Sequence, residues 1–433
     1  MATTETLDRS RHQLFADGRG RILALAILAS GLTGPGQTIG VSVFIDHFIA
    51  DLDLSRAEVS SAYLVGTLAA SMFLPSVGRF IDRYGVRRAQ VWIGLVFALV
   101  LVNMSFVTGL ISLALGFIGI RLLGQGSLSL VSTVTVSLKF DEDRGTALGL
   151  FSTFSAGLLA LAPILLGLAI TTWGWRNAWL VAAASILLTV IPLAWFGLAS
   201  MPRGSRAPQP APIRDAPLVD QTVAPSEAVT RSEAVTRSEA VTRSEAVRSR
   251  GFWILVAISG STSMLATALN FHQIDLLTSA GLSTAAAAAL FLPQVIGSSL
   301  AGFGCGLILD RIGARWLPAA AASLLVLALL LAAVVAPGLV VFVYAIVLGA
   351  AGGASRTVAS ALIPQWFGTR ELGSIQGTLT TISVGLSAIG PVTLAVLEQS
   401  TGSYASAVVI LALIPAGAAL FSLSGPTQSG PES

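Results

Sequence analysis

The sequence predicts an all-α membrane protein of twelve transmembrane helices in two homologous six-helix halves, and three observations carry that prediction. The 433-residue chain is 54% apolar and only 11% charged, whereas soluble globular domains carry about a quarter charged residues. Apolar runs close to the roughly 20 residues that a helix needs to cross a bilayer recur twelve times, and mean hydropathy is +0.81. Aligned on itself at an offset of 228 residues, the chain meets its own motifs in a single register.

The runs follow in order. The first, 22–48, is interrupted by Gly31, Gly34, Pro35, Gly36 and Gly40, the pattern of a discontinuous helix that forms part of a site. The second, 57–77, ends at the charged stretch GRFIDRYGVRR, residues 78–88. The third and fourth, 89–108 and 111–138, are joined by Thr108-Gly109, a tight turn. Runs 146–171 and 177–198 complete the first half. The second half comprises 252–277, 284–305, 317–336, 338–363, 372–396 and 403–424, with Pro337-Gly338 as the equivalent tight turn. None alternates with the period of a transmembrane strand, which excludes a barrel.

Charge placement sets the orientation. Arg9, Arg11, Arg19 and Arg21 precede the first helix, and this segment is too polar for a secretory signal. With that end inside, only Arg56 and Arg176 of the 25 Lys and Arg fall outside, and Arg121 and Arg356 fall within helices. The positive-inside rule therefore predicts cytoplasmic termini in a multi-pass protein of the cell membrane. The net charge of +3 is spread along the cytoplasmic loops and gives no nucleic-acid footprint. The single cysteine, Cys305, excludes an intrachain disulfide framework and reads as packing.

The expected organisation is a tail at 1–21, a half at 22–198, a cytoplasmic linker at 199–250, a half at 251–424 and a tail at 425–433. At the 228-residue offset Leu54-Ser55 meets Leu282-Ser283, Gly78 meets Gly306, and Asp82-Arg83 meets Asp310-Arg311. Gly85 meets Gly313, Arg87 meets Arg315, and Pro163 meets Pro391. The linker repeats the hexad Ser-Glu-Ala-Val-Thr-Arg from Ser226, with a truncated fourth copy. A six-residue period walks around a helix and forms no apolar seam, so a solvated tether is expected.

Gly78, Asp82, Arg83, Gly85 and Arg87, with Gly306, Asp310, Arg311, Gly313 and Arg315 in the second copy, resemble the loop signature of the major facilitator superfamily. The resemblance spans everything but the tails and linker. It implies the major facilitator fold, with these loops between helices two and three and between eight and nine. There they help to latch one conformational state. The segments LSRAEVSSAYLVGT, KFDEDRGTALGL, WGWRNAWLVAA and IGPVTLAVLEQSTGSY resemble the branch that includes monocarboxylate porters and oxalate/formate antiporters. Members of that branch commonly hold a cationic residue in helix eight or eleven, and this chain has no Lys or Arg inside either one.

Ionisable groups within the bilayer are functional candidates by default. Arg121, Gln125, Ser129 and Ser132 recur at spacings of 4, 4 and 3, which places them on one face of helix four. Arg121 resembles the superfamily's fourth-helix arginine, linked there to coupling. Read from its residues alone, it either binds an anion or caps backbone carbonyls of a neighbouring helix. Arg356 in helix ten either snorkels to the headgroups or shares a small polar face with Gly352, Gly353 and Ser360. Gln37, Asn270 and Gln294 complete the candidate binding set, and the resemblance implies a cavity lined by helices one, four, seven and ten. Asp46, His47 and Asp275 fall at outer helix ends and read as exposed. His272, slightly deeper, is the candidate for coupling to a proton.

The sequence contains no Walker-type phosphate loop, no nucleophile-elbow motif and no metal-ligand cluster, so neither an enzyme nor a cofactor is expected. The leading reading is a monomeric secondary transporter, a symporter or antiporter. Its expected partners are the bilayer and a small solute, with two intramembrane arginines favouring an organic anion and Arg121 its main charge. The alternatives are efflux of neutral or amphipathic compounds, or a membrane sensor that transports nothing.

Overall fold

A computed structural model describes residues 18–140, 144–201, 241–309, 316–368 and 371–423. The described residues are helical with short connections and contain no strand. Ten helices are long and apolar enough to cross a membrane, and the longest, Arg56–Met104, has 49 residues. That length exceeds one crossing, and the helix divides at Gly85, whose φ of 75° and ψ of 158° lie outside helical geometry. With the interrupted segment 19–52, the described chain is consistent with twelve crossings.

We number these segments α1 (19–52), α2 (56–84), α3 (86–104), α4 (Leu110–Lys139), α5 (Arg144–Trp173) and α6 (Trp175–Gly197). In the second half they are α7 (Arg250–Ser279), α8 (284–309), α9 (Trp316–Ala333), α10 (Leu339–Phe367), α11 (Leu372–Thr401) and α12 (Tyr404–Ser422).

The duplication is visible in backbone chemistry as well as in motifs. Asp53, φ 52°, closes the turn between α1 and α2, and Gly281, φ 95°, closes the one between α7 and α8. Gly174 (φ 80°) and Gly402 (φ 70°) turn α5 into α6 and α11 into α12. Both pairs stand 228 residues apart. Ser55 and Ser283, at the same offset, each cap the following helix by accepting a backbone N–H with the side-chain hydroxyl.

α1 is broken as its glycines predict. The helix Arg19–Gly31 gives way to a tight turn at Gly34–Gly36 and resumes in short pieces that reach Leu52. A Cβ on Gly36 would lie 2.4 Å from the carbonyl oxygen of Ile120, so α1 meets α4 backbone to backbone here.

The expected tether differs at its C-terminal end. Thr242 and Glu245 form a reciprocal capping box that starts a short helix, Arg243–Arg248. The Arg243 backbone N–H donates to the Glu371 carboxylate at 2.7 Å, and its Nε donates to Thr378 Oγ1 at 2.9 Å. Residues 241–249 therefore dock on the C-terminal half. The box is written across the junction of two hexads, Thr-Arg-Ser-Glu, which a search for an apolar seam overlooks.

Candidate functional site

The two ends of the bundle differ in chemistry. One carries Arg79, Arg83, Arg87, Arg88, Lys139 and Arg250 and is here called the basic face. At the opposite face, α1, α2, α7 and α12 converge. Arg56 Nη2 lies 2.8 Å from Asp46 Oδ1 and 3.1 Å from Asp275 Oδ1, and the Tyr404 hydroxyl donates to Asp275 Oδ2. The sequence reads Asp46 and Asp275 as exposed helix ends, and Asp46 is exposed; the pairing of the two carboxylates is what the sequence does not announce. A single guanidinium joins a carboxylate from each half. Just below, the rings of Tyr63 (α2) and Phe271 (α7) lie 4.6 Å apart, both fully buried, and extend the contact between halves.

A cavity of about 760 Å³ extends from mid-bundle toward the basic face. Ile39 of α1 and Ser152, Thr153 and Ala156 of α5 form one wall; Asn270 of α7, Gln294 and Ser298 of α8, and Arg356 of α10 form the polar side of the other. None of the four residues of the opposite-face cluster lines it.

Of the six predicted binding residues, Asn270, Gln294 and Arg356 line this cavity, whereas Arg121, Gln125 and Gln37 do not. Arg121 is 4% exposed. Its Nε donates to Thr67 Oγ1 at 3.1 Å, and Nη1 approaches both the Gly36 carbonyl and Thr38 Oγ1 at 3.4 Å. The guanidinium carbon sits 4.7 Å above the Tyr63 ring. Of the two readings of Arg121, this geometry is that of the cap: it covers a carbonyl freed by the break in α1. None of the four stripe residues Arg121, Gln125, Ser129 and Ser132 lines the cavity. Residues Arg121–Leu128 widen to i→i+5 hydrogen bonding within α4. Gln125 Oε1 ends buried without a partner, and Gln37 Nε2 donates back to Thr33 Oγ1 within α1.

Arg356 does not snorkel. Its guanidinium folds back along α10, where a Cβ on Gly352 would lie 3.5 Å from Nη1, and its Nη2 donates to Ser298 Oγ at 2.5 Å. Helical side chains lean toward their N-terminus, which here points the charge toward mid-bundle. Arg356 is exposed to the cavity.

His272 is fully buried against Phe271 and Tyr404. Its Nε2 lies 2.9 Å from the Pro391 carbonyl, which can only accept, so Nε2 carries the proton and Nδ1 is left without a partner. The ring ties α7 to α11 and does not line the cavity.

In the loop motif, Gly85 makes the turn in a conformation that L side chains rarely adopt, and Gly78 faces open space. Arg83 lies over the Tyr84 ring at 5.4 Å and Arg87 over Trp195 at 4.8 Å. Asp82 is exposed and makes no hydrogen bond or ion pair with a described residue. Asp310, Arg311 and Arg315 lie outside the described residues. Sequence reasoning missed Arg56 and Gln273. The signal for Arg56 was its position as an outside cation close to Asp46, Asp51 and Asp53; for Gln273, fully buried in the structure, it was only an amide adjacent to His272.

Residues 23–303 match the family model described as the Major Facilitator Superfamily. The chain belongs to the Major Facilitator Superfamily. No curated protein matches it in sequence. Among solved structures it is similar to a bacterial homolog of the human lysosomal transporter Spinster, in an inward-facing and unoccupied conformation. That likeness has 16% identity and a TM-score of 0.71, and it covers 94% of this chain and 97% of the other. It is also similar to the nucleoside transporter NupG, at 13% identity and a TM-score of 0.70, covering 93% of this chain and 98% of that one. At such identities the likeness establishes the superfamily's transporter fold.

Proposed function

We propose that this chain is a secondary transporter of the cell membrane that moves a small organic anion by alternating access, with Arg356 as the anion's countercharge. The observation that carries the proposal is the guanidinium of Arg356, which faces the cavity and spends one N–H on Ser298. A carboxylate entering a low-dielectric cavity loses solvation and needs a charge-assisted partner. The resemblance to the monocarboxylate branch supports the same class.

In this reading the basic face is cytoplasmic by the positive-inside rule. The Arg56–Asp46–Asp275–Tyr404 cluster closes the external side while the cavity extends inward. The halves 22–198 and 251–424 rock against each other, and the repeat-bearing linker joins them. The loop motif, with Asp82 unpaired here, is the latch of the opposite state. The internal position of His272 favours a tie between helices over proton coupling.

Ile39, Leu159, Phe291 and Phe303 also line the cavity, which favours a second reading, transport of a neutral amphipathic compound. Proteoliposome flux separates the two. Short-chain carboxylates should accumulate in response to an imposed gradient, and Arg356→Gln should abolish that flux. Flux of neutral amphiphiles that is indifferent to Arg356→Gln would favour the second reading.

A further inference from the structure

The other polar group fixed on this wall is Gln294, one helical turn before Ser298 on α8. The orientation of its amide follows from a short chain of hydrogen bonds that ends on backbone. Gln273 Nε2 lies 3.0 Å from the Ala287 carbonyl. A carbonyl oxygen only accepts, so the nitrogen of Gln273 is on that side and its Oε1 faces Gln294. Gln294 must then answer with Nε2, which donates at 2.5 Å. Its own Oε1 is thereby turned away from Gln273. That oxygen makes no hydrogen bond to a described residue, and it is not among the side-chain oxygens sealed off from the surface. Gln294 lines the cavity, and Oε1 is its available acceptor.

The spacing between this acceptor and the cation is set by backbone. A Cβ on Gly349 would lie 1.8 Å from the Gln294 carbonyl oxygen, and one on Gly353 would lie 2.1 Å from that of Ser298. Two glycines four residues apart thus let α10 press against α8 at these two positions. Arg356, anchored on Ser298, stands about 6 Å along the axis from Gln294, at 1.5 Å per residue.

We propose that the site takes a small carboxylate bearing a hydroxyl about one helical turn from the carboxylate. The carboxylate meets Arg356, the hydroxyl donates to Gln294 Oε1, and Gln273 is the positioning residue that presents that oxygen. The proposal rests on the anion reading above. A site that offers a fixed acceptor rejects a ligand without the donor, because the acceptor loses water and gains nothing.

The test is titration calorimetry on the purified full-length protein with two pairs of probes: γ-hydroxybutyrate against butyrate, and δ-hydroxyvalerate against valerate. Each hydroxy acid is expected to bind about 10-fold more tightly than its plain partner, within the roughly 5- to 150-fold range of one unpaired buried group. Gln294→Met should bring that ratio to about one, because no acceptor is then left for a hydroxyl to satisfy or a plain acid to strand. Gln273→Met, which removes no cavity-lining group, should lower the same ratio by freeing the Gln294 amide to turn. Equal affinity within each pair, or a ratio unchanged in Gln294→Met, overturns the hydroxyl site and leaves the anion reading standing. Failure of all four acids to bind wild-type protein overturns both.

Discussion

Arg121 and Arg356 are the same side chain within the bilayer region of opposite halves, yet their surroundings are opposites. Arg121 is enclosed by Thr67, Thr38, the Gly36 carbonyl and the Tyr63 ring. Arg356 has one serine partner and faces the cavity. Arg121 spends Nε and Nη1 on α2 and α1 inside the protein, as a tie between helices does. Arg356 spends one N–H on Ser298 and opens onto the cavity, where it can hold a ligand. The difference is set by backbone. The break in α1 frees a carbonyl for Arg121 to cover, whereas α10 is unbroken around Arg356 and leaves it none.

The comparison breaks most readily at Arg356. Arg356→Gln should weaken binding of a carboxylate about 10- to 100-fold, the range carried by hydrogen bonds to charged groups, with an unchanged gel-filtration profile. Arg356→Lys keeps the charge but loses the planar fork and should fall between. Arg121→Met should act on the other axis. It leaves the Gly36 carbonyl and the Thr67 hydroxyl short of a partner, at about 1–3 kcal/mol for each group stranded, while Thr38 keeps the Tyr63 hydroxyl at 2.6 Å. A lower melting temperature with nearly unchanged affinity is expected from thermal unfolding.

The two ends of the bundle sharpen the comparison through conformation. Asp275→Asn weakens the Arg56 link between halves and should raise labelling of a cysteine placed at the Asp275 end of α7, by an impermeant reagent, several-fold. Asp82→Asn should have the smallest effect in this state, because Asp82 has no described partner to lose. Its expected signature is slower transport at unchanged melting temperature and affinity. A large fall in stability would show that Asp82 is already engaged.

Most of the architecture was legible in the sequence, because hydropathy and internal duplication are local signals. The apolar runs mark the crossings, Gly34-Pro35-Gly36 marks the break in α1, and the 228-residue register anticipates the paired turns at Asp53/Gly281 and Gly174/Gly402. The site was legible only in part. The stripe on α4 groups polar residues by spacing, but spacing does not say what that face meets, and none of its four members lines the cavity. Gly352 and Gly353 hinted at a small face beside Arg356, but the choice between snorkelling and facing the cavity depends on Ser298, 58 residues away. The Arg56–Asp275 contact joins residues from different halves, and no local pattern encodes it.

The central claim is tested most directly by measuring the affinity of one carboxylate that binds the wild type, by titration calorimetry, in Arg356→Gln and Arg121→Met side by side, with melting temperatures from the same preparations. The account predicts that Arg356→Gln loses affinity and keeps its melting temperature, while Arg121→Met keeps affinity and loses melting temperature. A well-folded Arg356→Gln with wild-type affinity, alongside an Arg121→Met that no longer binds, would contradict it and return the anion to α4.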